Sequence, residues 1–279
     1  MLENIRLSFQ GVWSHRLRSF LTMLGIIIGI AAIIAIVSTI KGTNEQIKKN
    51  LIGSGTNTTT VQLTEEGNYP AEMEYGIPKG IPVLDDDMRQ QLADIDHVKD
   101  ASLYVSRTQV DYIYYNDTSL SGGQLIGADS HYLGTCGYIM KRGRGFTDSD
   151  YEKYRKVAVI DSVAADSLFG DANPVGKTID IKGEPFIVIG VIEESTAFSP
   201  VINSVEDYYT YVYNDGSASG IVVIPDVDWN IVQQYDEPQN AKLLADSTDN
   251  MTSVGKAAQT LLNETVTSKS IKYRAANMN

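Results

Sequence analysis

From Ser19 to Ile40 the chain reads SFLTMLGIIIGIAAIIAIVSTI, 22 residues without a charged side chain. A helix of that length reaches about 33 Å, enough to cross a hydrocarbon layer of about 30 Å. A cleaved secretory leader competes with this reading. Leader cores hold about 7–15 apolar residues and end in a small-x-small cleavage site. Here the apolar run is longer and leaves through Val37-Ser38-Thr39-Ile40-Lys41, which offers no A-x-A. A retained transmembrane helix over 19–40 is therefore the expectation, with a buried core helix as the third alternative.

Within that run, Gly25-Ile26-Ile27-Ile28-Gly29 is a G-x-x-x-G. Two glycines on one helix face let a partner helix approach closely in lipid, where dispersion contacts replace the missing hydrophobic drive. Glycine is also common in membrane helices at large. Gly25 and Gly29 are the candidate helix-packing residues. Ahead of the run, residues 1–18 put Ile5, Phe9, Val12 and Trp13 near one helical face. That pattern suits an interfacial amphipathic lead-in over 1–18 with Trp13 at the headgroup level.

Charge divides the chain by region. Of 23 basic and 35 acidic residues, Arg6, Arg16, Arg18 and Glu3 precede Lys41. That leaves 20 basic and 34 acidic residues after the helix, a net of −14. A domain so negative does not neutralise a nucleic-acid backbone or adhere to anionic lipid. Orientation by the positive-inside rule is a tie, because Lys41, Lys48 and Lys49 answer the three arginines. Arg16 and Arg18, hard against the boundary, lean to a cytoplasmic N-terminus. A single cysteine, Cys136, excludes an intramolecular disulfide, so the domain must hold by core packing.

Past the membrane, a helical continuation is expected from Lys41 to Leu51, closing at Gly53-Ser54-Gly55. Thr58–Leu63 is β-branched and strand-like, and Thr64–Pro82 reads as a loop. Asp85 caps a helix over Asp86–Ile95. Val98–Tyr115 reads as one long strand, Asn116-Asp117 as a turn and Ser119–Ile126 as the returning strand. Further strands are expected at Lys156–Ile160, Thr178–Ile181, Pro185–Ile192, Ile221–Ile224 and Ala241–Ala245, with one more from Ile271. Helices are expected at Ser162–Phe169 and about Asn250–Glu264. Residues 195–219 form a polar, tyrosine-rich loop, equally readable as a recognition surface or an excursion. The alternation predicts an α+β or α/β fold with open mixed sheets.

No catalytic residue, cofactor or metal site is expected. Gly170-Asp-Ala-Asn-Pro-Val-Gly176-Lys177-Thr178 has five residues between its glycines, not the four of a phosphate-binding loop, and leads from helix to strand rather than the reverse. It reads as a turn. His15, His97 and His131 lack ligand spacing with Cys136, and Cys136 reads as a small buried hydrophobe. Asp85-Asp86-Asp87 reads as a helix N-terminus with its cap, and Asp148–Asp150 as a turn with a cap.

The segments RLRSFLTMLGIIIGIAAIIAI, LIGSGTNTTTVQL and LIGADSHYLGTCGYIMKRGRGFTDSD resemble MacB/FtsX-type ABC transporter permeases. So does VAVIDSVAADSLFGDANPVGKTIDIKGEPFIVIGVIEES. The first matches their opening membrane helix; the others resemble the MacB-like periplasmic core domain. The resemblance implies an extracytoplasmic porter-like α/β part over 41–127 and 221–279, with an inserted smaller α+β, sabre-like subdomain over 128–220. It also implies a bacterial cell-membrane protein with its N-terminus, and so the amphipathic lead-in over 1–18, cytoplasmic, working as a homo- or heterodimer in contact with membrane lipid. A separate cytoplasmic ABC ATPase subunit would supply ATP hydrolysis, so this chain is not expected to be an enzyme. The ectodomain would transmit ATP-driven motion for export of peptide, drug or lipoprotein. Three further membrane helices belong to that family pattern, so the expectation is an N-terminal fragment or a truncated form. The alternative is a single-pass ligand-binding or sensor protein that reuses the same ectodomain.

Overall fold

The computed structural model describes residues 16–51, 57–65, 71, 79–194, 220–233 and 239–275. The lead-in around Trp13, the turn at Gly53-Ser54-Gly55, most of the loop before Pro82 and the tyrosine-rich loop lie outside them. The chain divides into two compact units between Lys49 and Asn50.

The first unit is dominated by helix α1, Arg16–Leu51. Its apolar side chains stand free, Ile26 and Ile33 each at 63% exposure. Two hydroxyls inside it are satisfied by the preceding turn, Thr22 to the Arg18 carbonyl (3.1 Å) and Thr39 to that of Ala35 (2.9 Å). Polar residues are tolerated there because their donors bond within the helix.

The second unit is a mixed α+β domain built on one twelve-stranded sheet. Its strands are β1 Thr58–Thr64, β2 Val98–Val110, β3 Ile113–Tyr115, β4 Thr118–Ser119, β5 Gly123–Ala128 and β6 Tyr138–Gly143. Then come β7 Val157–Asp161, β8 Thr178–Ile181, β9 Glu184–Glu194, β10 Ile221–Pro225, β11 Asn240–Ala245 and β12 Lys272–Ala275. The order is β12-β1-β11-β2-β5-β10-β7-β9-β8-β3-β4, with β6 also on β9. Only β5–β10 and β7–β9 are parallel. The helices are α2 Asp86–Ala93, α3 Tyr132–Thr135, α4 Asp148–Glu152, α5 Ser162–Phe169, α6 Trp229–Val232 and α7 Met251–Glu264.

Local chemistry explains several of these elements. Asp85 caps α2 by accepting from the Met88 amide at 3.0 Å. Asp161 does the same for α5 through the Ala164 amide at 2.7 Å. The β8–β9 hairpin turns on Lys182 and Gly183 with φ of 55° and 88°, the two positive values of a two-residue hairpin turn.

Two expected strands are broken in the fold. The run Val98–Tyr115 divides because Gln109 adopts a φ of 55° and the register against β5 slips between Arg107 and Val110. The chain then leaves β5 and pairs Ile113 with Ile181 of β8. Ser119–Ile126 divides likewise: β4 closes on β3, and β5 starts only after Gly122 at φ 68°. Tertiary pairing overrides a continuous β-prone run. The short helix α3, strand β6 and helix α6 were not anticipated.

The apolar side chains collect in three clusters. One lies under α2 and α7, where Leu92, Leu262 and Tyr273 meet Val61 and Leu243. A second, around Phe186, Ile160 and Leu168, also takes Ile113 and Leu120 from early in the chain and Val222, Ile224 and Trp229 from late in it. The third surrounds Tyr104, Tyr132, Val159 and Ile192 and contains Cys136, 7% exposed.

Candidate functional site

On α1, Gly25 and Gly29 are four residues apart and so share a face. A Cβ placed on either would meet nothing within 4 Å. Phe20–Lys41, 22 residues with none of the span's surface buried, is long and apolar enough to cross a membrane.

In the second unit several ionisable groups fasten elements together. Asp150 is wholly buried and receives Arg144 in a fork, at 2.6 and 3.1 Å. Arg155 stands 3.6 Å away. The Thr147 amide (2.9 Å) and hydroxyl (2.8 Å) donate to the same carboxylate. Arg144, then the Thr147 bonds, outweigh burial and hold this carboxyl at about 2. Reading 148–150 as a capped turn misses both the short helix α4, whose N-cap is Thr147, and the ion pair. The arginine spacing in RGRGFTDSD is the signal that could have suggested it.

Two imidazoles sit on carboxylates: His97 on Asp246 at 2.9 Å and His131 on Asp100 at 3.0 Å. Asp100 also accepts from the Thr135 hydroxyl at 3.2 Å, and the Thr135 carbonyl accepts from the Thr58 hydroxyl at 2.8 Å. These bonds tie β1, β2 and α3. Cys136 lies at the end of α3, remote in role from any of them. Among the described residues no three His, Cys, Asp or Glu are arranged to hold a metal ion.

Gly170–Thr178 is a turn in the fold. Gly170 ends α5 at φ 57°, Asn173 accepts from the Val175 amide at 3.3 Å, and the Lys177 amide donates to Pro174 at 3.0 Å. Its amides face their own chain and not a phosphate. Asp86 of the triple-aspartate run is engaged by Arg89 at 2.6 Å and Gln90 at 2.7 Å.

An apolar helix long enough to cross a membrane, followed in the chain by a mixed sheet with its helices, defines an α+β domain that follows a candidate membrane helix. The chain belongs to the MacB-like periplasmic core domain family, whose description matches residues 19–261. It is 35% identical to the uncharacterized ABC transporter permease YvrN of Bacillus subtilis (strain 168) over 269 residues, 95% of this chain and 62% of that protein. It is 32% identical to the macrolide export ATP-binding/permease protein MacB of Campylobacter fetus subsp. fetus over 213 residues, 76% of this chain and 32% of that protein. The chain thus spans less than two thirds of either relative. The fold is similar to the extracellular domain of the noncanonic ABC-type transporter YknZ from Gram-positive bacteria. That likeness has a TM-score of 0.52 and 21% identity, covering 79% of this chain and 100% of that one. It is also similar to the periplasmic region of MacB from Actinobacillus actinomycetemcomitans, with a TM-score of 0.55 and 19% identity, covering 82% and 92%.

Proposed function

We propose that this chain is a membrane-spanning permease component of an ABC transporter, whose ectodomain transmits ATP-driven motion for export of a peptide, drug or lipoprotein substrate. The observation that carries the reading is a single family match beginning at residue 19, which takes in the apolar run of α1 and the mixed-sheet domain together. The relatives' names, permease and ATP-binding/permease, support it. In this reading ATP hydrolysis belongs to a separate cytoplasmic subunit. The N-terminus is cytoplasmic and the domain after Lys41 is outside, in keeping with Arg16 and Arg18 at the boundary.

Gly25 and Gly29 form the packing face of α1, set against another membrane helix of a permease dimer. Their four-residue spacing on one face supports this, because a helix without a partner in lipid gains nothing from a small-residue face. Within the ectodomain, the porter-like part corresponds to the cluster under α2 and α7. The inserted part corresponds to the cluster around Phe186. In this reading the porter-like part spans 41–127 and 221–279 and the inserted sabre-like part 128–220, with Val222, Ile224 and Trp229 of the former packed in the same cluster as Phe186.

The full-length protein purified in mild detergent from its own host is expected to retain an ATPase subunit through gel filtration. Gly25→Leu with Gly29→Leu is expected to lower the recovery of permease dimer several-fold. Purification free of any ATPase in every detergent, with the fold intact, would sink the proposal.

A further inference from the structure

The corner that follows β10 holds the least satisfied polar groups among the described residues. Asp228, in the 3-10 turn Asp226–Asp228, is 0% exposed, and neither carboxylate oxygen has a hydrogen-bond partner. The indole N–H of Trp229, the next residue, is also buried and unpartnered. An ionised carboxylate without water or donors is unfavourable, and such a group escapes by binding a proton.

The groups facing this corner come from four elements. Strand β10 leaves the sheet at Pro225 opposite Ala128, the last residue of β5. Asp226 therefore faces Asp129, and Asp228 faces both Asp226 and Lys156. Asp129, whose carboxyl is raised above its ordinary value by burial, accepts from the Ser102 hydroxyl and the Leu103 amide, each at 2.7 Å, and from the His131 amide at 3.0 Å, with the His131 ring nearby. From α4, Tyr151 donates to the Ala128 carbonyl at 3.0 Å and faces Asp129, Asp150, Asp226 and Asp228. Lys156, just ahead of β7, is paired to Glu184 at 2.6 Å. The cation that faces Asp228 is thus committed elsewhere, and the other neighbours are acidic or phenolic.

The corner is seated by packing. Trp229 lies directly on Gly127 of β5, so closely that a Cβ there would stand 2.6 Å from the indole Cε3. Anything that charges Asp228 therefore acts on the residue beside that contact.

We propose that Asp228, with Asp226 beside it, is a proton-binding site that keeps residues 226–232 seated on β5 when neutral and loosens them when ionised. Burial lifts both carboxyls to about 6; Asp129 adds to the rise at Asp226. At Asp228 Lys156 opposes the rise and Asp226 adds to it. Both values exceed the ordinary 3.8 of the unfolded chain. The folded form binds these protons more tightly, so stability is greatest below the unfolded value and is lost as pH rises through about 6.

The chain's two tryptophans are Trp13 and Trp229, so Trp13→Phe leaves Trp229 as the sole indole reporter. In the full-length protein in detergent, urea unfolding followed by that emission is compared at about pH 5 and about pH 8. The ratio of folded to unfolded protein is expected to fall about tenfold more in the parent than in Asp228→Asn between those values. At the higher pH Asp228→Asn should resist urea better than the parent. Lys156→Gln should move the midpoint of the parent's pH profile upward, since the opposing cation is gone. Coincident profiles for parent and Asp228→Asn overturn the proposal, and so does an unmoved midpoint in Lys156→Gln. Equal destabilisation by Asp228→Asn at both pH values, or its failure to fold, also overturns it, because the amide is the isostere of the neutral acid.

Discussion

Replacing Asp150 by Ala is expected to lower the stability of the ectodomain by about 3 kcal/mol, read from urea unfolding near neutral pH. Removing one partner of a buried ion pair costs about 3–5 kcal/mol. The lower end applies because Arg144 and Arg155 are 44% and 48% exposed and can rehydrate, whereas the Asp150 side chain is 0% exposed. Part of the loss comes from Thr147, whose amide and hydroxyl both lose their acceptor. The same site gives an acid limb to the stability curve. Arg144 first, and Thr147 with it, hold the folded carboxyl at about 2, below its ordinary 3.8. The stabilising contribution is therefore complete above the unfolded value and is lost as pH falls through about 2. Asp150→Asn should lack that limb. A change within about 0.5 kcal/mol, the range of ordinary surface substitutions, would mean the arginine fork does not hold this loop.

Gly190→Ala is expected to cost about 3 kcal/mol, the upper part of the range for overpacking a tight site. Gly190 in β9 faces Gly143 of β6, and the Arg144 carbonyl occupies the space where a Cβ would stand. That carbonyl is backbone and cannot swing aside as a side-chain tip could. Relief requires moving the chain at Arg144, which breaks its 3.0 Å amide bond to Ile189 and tilts the guanidinium away from Asp150. The two substitutions should thus be coupled: Asp150→Ala in the Gly190→Ala background should cost less than alone, by about 1 kcal/mol. Thermal or urea unfolding of the four chains in the cycle measures this. Strict additivity would separate the glycine from the ion pair.

What could be read from the residues was the chemistry that acts within a few positions. The uncharged run before Lys41, the Asp85 cap, the helix Ser162–Phe169 and the turn over Gly170–Thr178 each carry their own signal, and each stands in the fold. Strand β6 does not, since YIMKRG does not alternate; its pairing partner, β9, lies some fifty residues on. The break in β2 depends on β8 capturing Ile113, which no window around Gln109 contains. Asp150 was readable as part of a capped turn, but its partner Arg144 comes within reach only after Gly143 turns the chain at φ 73°. Asp228 is the least legible of all. In the sequence it is one more acid after a proline, and only the packing of β5, β10 and α4 around it strips it of donors. The family resemblance supplied what local patterns could not, namely that one membrane helix and one mixed-sheet domain belong together.

The placement of that domain outside the membrane is the claim on which the account turns. It is tested most directly by labelling a single cysteine in right-side-out spheroplasts. Cys136 is buried and is removed as Cys136→Ser; Val83, 53% exposed, becomes the reporter as Val83→Cys. A membrane-impermeant maleimide should label the intact spheroplasts as fully as lysed ones. Labelling that appears only after lysis would put the ectodomain in the cytoplasm and contradict the account.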